Sequence, residues 1–570
     1  MKRALVLSLI GSLCLGAIWA AYRAVVPESS ALQRYVPSGA LLYLQANDFA
    51  SLLADWNASP RKQSWVKSGN YQVFSQSRLF LRLRGASEEF TKAAGLPPDM
   101  NFLTQVAGTQ SALALYDIGK LQFLYITKLP SANSMQSALW QTRAKFQPRS
   151  AGGVTFYLRR DPESGREVAF AVNGDFLLLA TREDLLAGAL QLMGGGKDFS
   201  IEAEPWWTQS VAAAGPAGDL RMVLNLDKLV PSPYFRSYWI QKNITDMKQY
   251  SAAVTDLYRS GNEYREERVL LKKAAPGAEA SPSVDGAASV ADLVRLVPAE
   301  TGIYEVRANP SADLSLALLQ TKILAPHLGP APAQKLAPQV QLASGQTGDS
   351  SDLETRIDLA PVRGSGASDA AVPLKNLLQT NRLRAILQVQ VTEQDKEGVF
   401  VRIHSGVALL GDTDWNEASA RSAFADFVRP ALTAGNLGVD WQAQSGYQEL
   451  DGLWTFAAAV RGKYLLVSDD SALLAAMVAN LNRKAVEKPA AFLAGFNHAR
   501  ESGNFVRFTG LLDRRNLGAR GSSQDGQSPQ FFSDNVGSLS STLSGVSSQK
   551  IVVRDAGDKI FQTVTYEWSH

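Results

Sequence analysis

The sequence has 570 residues and one cysteine, Cys14. That residue sits in an uncharged apolar run, so the long remainder of the chain can form no disulfide, thiolate nucleophile or zinc–cysteine site. Histidine is scarce too: His327, His404, His498 and His570. Each stands alone in sequence. There is no HExxH and no paired His/carboxylate spacing, which excludes a local metal motif. Neither sign of charge is in excess, with 57 Lys plus Arg against 54 Asp plus Glu. The net charge of +3 equals the three cations Lys2, Arg3 and Arg23 around the apolar run. The remainder is neutral overall, and nucleic acid is not an expected partner. Charged residues make up 19% and hydrophobic residues 45% of the chain, values that exclude a wholly disordered chain and a polytopic membrane protein.

The apolar run itself, Ala4 to Tyr22, predicts a membrane helix. At 1.5 Å per residue it spans about 28 Å, close to the hydrocarbon thickness. Lys2 and Arg3 on one side keep the short end in the cytoplasm and send the bulk of the chain outward. Trp19 and Tyr22 lie where amphipathic aromatics favour the lipid–water boundary. A cleaved signal peptide is the rival reading, but Ala17-Ile18-Trp19-Ala20-Ala21 puts a bulky residue at one of the two positions before either cut. Leu13 before Cys14 is too large for lipoprotein processing. The expected location is a bacterial inner membrane, with one pass and the bulk of the chain periplasmic.

Beyond residue 30 the chain reads as a duplication. A Val-Pro turn, a short alternating strand and an apolar helix start follow one another near Val36 (strand Ala40–Gln45) and again near Val297 (strand Gly302–Arg307). Asn173-Gly174 and Arg461-Gly462 are turn signals between short apolar strands. Thr181 and Ser468 then precede acidic residues and a helix, an N-cap arrangement. Asp219–Leu229 is matched to Asn504–Asn516. Each is expected to lead into a helix-like segment (Pro233–Tyr258; Phe532–Val546) and terminal strands (Glu267–Leu271; Lys550–Val553 and Ile560–Tyr566). Helices do not strictly alternate with strands, which favours α+β with largely antiparallel sheets. The expected organisation is an anchor over residues 1–30, a first α+β repeat domain over 31–273, a linker over 274–289 and a homologous domain over 290–570. Pro/Ala/Gly/Ser-rich insertions fall near 329–371 and 515–530.

The Val36-Pro37 and Val297-Pro298 openings, the run PYFRSYWIQKNI from Pro233 to Ile244 and the run EYREERVLL from Glu263 to Leu271 resemble an uncharacterised family of membrane-anchored bacterial envelope proteins, catalogued as a domain of unknown function. The resemblance covers most of the chain beyond the apolar run. It implies no activity and carries over no catalytic positions.

A search for chemistry returns little. Gly194-Gly195-Gly196-Lys197 is followed by Asp198 rather than Ser or Thr and comes after a helix, so it reads as a helix stop rather than a phosphate loop. No GxSxG elbow occurs. Asp469-Asp470 and Glu266-Glu267 are adjacent acids whose side chains point apart, so adjacency builds no acid–base couple. The sharpest candidate surface is Tyr234, Phe235, Tyr238 and Trp239, which pair one turn apart on a helix whose stripe continues through Met247, Val254 and Tyr258. No catalytic, cofactor or metal residue is expected. The expected function is a non-catalytic scaffold or protein-interaction module of the envelope, touching the bilayer through residues 4–22 and an envelope protein elsewhere. A binding protein for a lipid-like ligand between the domains is the alternative. An enzyme of unfamiliar type is the third, which an acid beside His404 would favour.

Overall fold

The computed structural model describes residues 32–196, 200–233, 247–273, 284–327, 371–393, 402–433, 440–501 and 545–568. The chain divides into two compact units, Met1–Arg259 with Glu266–Ala275, and Ser260–Arg265 with Pro276–His570. Helices and antiparallel strands are mixed in both, as expected for α+β.

The first ten strands are β1 (Leu42–Asn47), β2 (Gln110–Asp117), β3 (Gln122–Lys128), β4 (Gln147–Ala151), β5 (Val154–Arg160), β6 (Glu167–Asn173), β7 (Phe176–Ala180), β8 (Leu220–Asn225), β9 (Tyr250–Ser260) and β10 (Glu263–Lys272). Their spatial order is β4-β5-β6-β7-β3-β2-β1-β8-β9-β10, antiparallel from β4 to β9. The next ten are β11 (Ile303–Ala308), β12 (Leu383–Glu393), β13 (Arg402–Gly411), β14 (Gln442–Gln444), β15 (Tyr447–Asp451), β16 (Thr455–Arg461), β17 (Tyr464–Ser468), β18 (Phe492–Phe496), β19 (Val546–Asp555) and β20 (Lys559–Trp568). Their order is β14-β15-β16-β17-β13-β12-β11-β18-β19-β20, the same path strand for strand.

Register agrees as well as order. Ala169 faces Ala180 and Asn173 faces Phe176 in the first unit; Ala457 faces Ser468 and Arg461 faces Tyr464 in the second. Leu124 faces Ala180 as Gly406 faces Ser468. A one-residue slip would turn every side chain to the wrong face, so shared register means shared core positions. The tight turns rest on Gly174 and Gly462, with φ of 55° and 56°, a left-handed conformation that glycine adopts without strain.

The middle strands are apolar on both faces, and alternation assigns each residue to one of two cores. In β7, Leu178 and Ala180 pack with Leu186, Ala189 and Leu190, while Leu177 and Leu179 pack with Phe90 and Phe102. In β17, Leu466 packs with Leu474 and Met477, while Leu465 and Val467 pack with Phe424 and Phe456. Each fully buried Leu or Phe contributes about 1.5–3 kcal/mol. The helices that supply these partners are α1 (Arg78–Ala94), α2 (Glu183–Met193), α3 (Glu417–Leu432) and α4 (Ser471–Ala479). Helix α1 starts at Ser77, whose hydroxyl accepts the Phe80 N–H, and ends at left-handed Gly95.

Several expectations change. The partner of Asp219–Leu229 is not Asn504–Asn516, which lies outside the described residues. Strand β18 pairs with β11 and β19 in the register that β8 keeps with β1 and β9, so Phe492–Phe496 fills that place. Asn225, the last residue of β8, and Asn497, the first after β18, support the match: each accepts an N–H three residues on, from Lys228 and Arg500. The helix expected to run through Tyr258 gives way to β9 at Tyr250, so Val254 and Tyr258 belong to a strand, where β-branched and aromatic side chains pack well. Residues 234–246 lie outside the described residues, and with them Tyr234, Phe235, Tyr238 and Trp239. Of the linker expected over 274–289, residues 274–283 lie outside the description, while Val284–Ser289 open the helix Val284–Val294, whose Val290 and Leu293 are core. Residues 1–31 and 515–530 also lie outside it, as do residues 329–370 of the insertion expected near 329–371, whose last residue, Ala371, is instead core. No helix among the described residues is long and apolar enough to cross a membrane.

Candidate functional site

The end of the sheet where β7 meets α2, and its counterpart where β17 meets α4, gathers polar side chains at matched positions. The expected N-caps are displaced here. Arg182 precedes α2 with no side-chain cap bond, and Asp470 caps α4 by accepting the Leu473 N–H at 2.6 Å. Thr181 instead bonds sideways, its hydroxyl accepting the Phe123 N–H of β3 at 2.9 Å. Ser468 donates to the Ser405 carbonyl at 2.9 Å.

In the first unit this end opens into a cleft of about 710 Å³. Arg166, one residue before β6, reaches the Glu89 carboxylate of α1 with Nε at 3.2 Å and the Lys120 carbonyl with Nη1 at 2.7 Å. Arg182 donates to Asp184 at 2.9 Å and to the Gln122 side chain at 3.3 Å. Glu167 accepts the Glu183 N–H at 2.9 Å, at the positive end of α2. Four cations and four anions line the cleft, so its charge is high and balanced.

Register assigns the equivalents in the second unit. Ser405, His404, Asp469, Asp470 and Trp454 stand where Phe123, Gln122, Thr181, Arg182 and Arg166 stand in the first. The Asp469 side chain is fully buried. One of its oxygens accepts the Ser405 N–H at 2.7 Å, the bond that Thr181 makes in the first unit. The other lies 3.1 Å from His327 Nε2, and since an ionised carboxylate only accepts, the imidazole donates there. The His327 ring stacks on Trp454, centroids 4.0 Å apart and planes within 5°. His404 has Asp470 at 3.8 Å and Glu393 at 3.7 Å, ion-pair rather than hydrogen-bond distances. Among the described residues the Ser405 hydroxyl is buried without a hydrogen-bond partner, so none of them couples it to an imidazole as a nucleophile would be. No group of three or more His, Cys, Asp or Glu among the described residues could hold a metal ion.

A second, smaller cleft of about 260 Å³ lies in the second unit between α3 and the β14–β16 strands, lined by Glu417, Arg421, Gln444, Tyr447 and Arg461. Sequence reading named Asp469-Asp470 and His404 but saw no reason to join them to His327. Arg166, Arg182 and Trp454 went unnamed altogether, because strand pairing rather than sequence spacing sets Arg166 near Arg182 in the first unit and puts Trp454 at the matching position of the second. Gly194 closes α2 through bonds to the Leu190 and Gln191 carbonyls, so the glycine run there is a helix stop.

No family model and no curated protein matches the chain. Among solved structures, crystal form IV of TP0453 is similar over 43% of this chain and 83% of its own, at 12% identity and a TM-score of 0.22. Crystal form I of TP0453 is similar over 44% and 81%, at 13% identity and a TM-score of 0.23.

Proposed function

We propose that this chain is a non-catalytic envelope protein, anchored in the inner membrane by the Ala4–Tyr22 helix with its bulk periplasmic, in which two homologous tandem domains work by contact as a scaffold or protein-interaction module. Shared strand order and register support the duplication. The observation that carries the contact reading is the cleft of the first unit. Its lining pairs Arg166 with Glu89 and Arg182 with Asp184, a mixed-charge surface suited to a polar protein segment and ill suited to an acyl chain. At the matched position of the second unit the same backbone frame carries Asp469, His327 and Trp454 instead, which supports two different contacts on one architecture.

The test is purification from native membranes in mild detergent, comparing the parent chain with a Lys120→Glu, Arg182→Glu variant, followed by mass spectrometry of co-purifying proteins and lipids. A protein retained in fixed stoichiometry by the parent and lost by the variant supports the reading. A clean monomer, or a stoichiometric lipid held equally by both, overturns it.

A further inference from the structure

Between β1 and β2 the chain makes a helical excursion, Phe49–Ala58, Pro60–Val66, Gly69–Ser75 and the start of α1. From Trp56 to Ser87 it contains Arg61, Lys62, Lys67, Arg78, Arg82 and Arg84 and no Asp or Glu. In a chain whose net charge is only +3, this is a local concentration of one sign. Arg82 turns to the Gly119 carbonyl and Glu89, and Arg84 to Glu88 at 3.8 Å in the open. Among the described residues Lys62 donates to the Asn57 amide oxygen alone, at 2.5 Å.

Eight large apolar side chains described in the same stretch stand outside the cores of the sheet. Trp56, Val66, Leu81 and Leu83 are exposed, each by 45–47%. They are four of the ten large apolar side chains that stand out from the described residues, so the exposure is concentrated. Beside them Trp65, Tyr71, Phe74 and Phe80 pack against one another, with ring centroids 5.5–6.3 Å apart, and none is among the side chains of the sheet cores. Short helices that combine Trp, Phe and Leu with Lys and Arg, and lack acids, have the composition of segments that lie in the headgroup region of an anionic bilayer. Aromatic rings sit at the lipid–water boundary while long cationic side chains reach phosphate.

We infer that the Trp56–Ser87 excursion docks on an anionic lipid surface, a membrane contact separate from the anchor and independent of it. Its signature is hydrogen exchange in the full-length protein reconstituted in nanodiscs. In phosphatidylglycerol discs the amides of residues 56–87 exchange about an order of magnitude more slowly than in phosphatidylcholine discs. Raising the salt to about 0.5 M removes most of the difference, because the Debye length then falls well below 10 Å. Lys62→Glu with Lys67→Glu abolishes it while exchange in α2 stays unchanged, and Leu83→Gln, which leaves every charge in place, weakens it. Equal exchange in the two discs overturns the inference. So does slowing that survives the lysine reversals, and so does slowing seen only in native membranes, which would assign the surface to a protein partner.

Discussion

Thr181 and Asp469 occupy one position in two units and make one bond: each side chain accepts the backbone N–H of the strand beside it, from Phe123 at 2.9 Å and from Ser405 at 2.7 Å. The difference lies in the second oxygen of Asp469, which holds His327 and so sets the ring against Trp454. Replacing a hydroxyl by a carboxylate at a fixed backbone position thus converts a sheet-end clasp into a tether for a distant segment.

Asp469→Ala removes both bonds and leaves the buried Ser405 N–H without an acceptor, a loss of about 1–3 kcal/mol. Asp469→Thr copies the first unit, restores the clasp and omits the tether, so its loss is smaller. Chemical denaturation of both variants checks the order. Equal losses would mean that the backbone bond contributes nothing and the tether everything.

Buried phenols make the protein sensitive to alkali. Burial first, then the Glu202 charge, pushes Tyr43 far above its ordinary value; burial and then Glu204 do the same to Tyr116. Tyr304 is pushed up to about 12 by burial and then by Glu487. A raised folded value favours the neutral phenol, so this stability is complete below the unfolded value of about 10 and is lost as pH rises through the folded values. Denaturation midpoints therefore fall above about pH 10, and tyrosinate absorbance from these rings appears only with unfolding. Full reversible titration of every tyrosine near its ordinary value, with circular dichroism unchanged, would contradict this.

What the sequence exposes and what it hides follows from the range of each interaction. The strand starts near Ala40 and Gly302, the Gly174 and Gly462 turns and the glycine stop after Met193 are local, and their residues carry the signal themselves. Phe492–Phe496 escaped notice because Ala494 and Gly495 spoil its strand pattern. The structure uses that small residue to seat Tyr304, whose ring would lie 2.2 Å from a Cβ at Gly495. Thr181 and Ser468 look like helix caps because hydroxyls before acids usually are, yet both bond across strands. The His327–Asp469 contact spans 142 residues, and His327 lies in a turn outside every strand, so no local pattern announces it.

The proposed membrane attachment through Ala4–Tyr22 is tested by Leu9→Arg and Leu13→Arg. In the proposed helix each would place a charge near the bilayer centre, at a cost of about 2.5–3.5 kcal/mol. The double variant leaves the membrane fraction or fails to reach it. Membrane retention equal to that of the parent chain would contradict the anchor.

The sharpest contrast between the units is a buried ion pair present in one and absent from the other. Arg221 faces Asp256 across β8 and β9, with Nε to Oδ1 and Nη2 to Oδ2 both at 2.8 Å and both side chains almost fully buried. At the same register of β18 and β19, Leu493 faces Val552. The frame therefore accepts an apolar pair at this point, whereas half of an ion pair leaves an uncompensated buried charge. Asp256→Val alone costs about 3–5 kcal/mol. Arg221→Leu with Asp256→Val installs the second unit's solution and costs less. The residual loss is about 1–3 kcal/mol, because the Gly218 N–H also gives up its Asp256 acceptor. A double-mutant cycle on denaturation free energies measures the coupling directly. A double variant as unstable as the single would show that the pair is not what the single variant loses, and that the equivalence of the two registers does not extend to their packing.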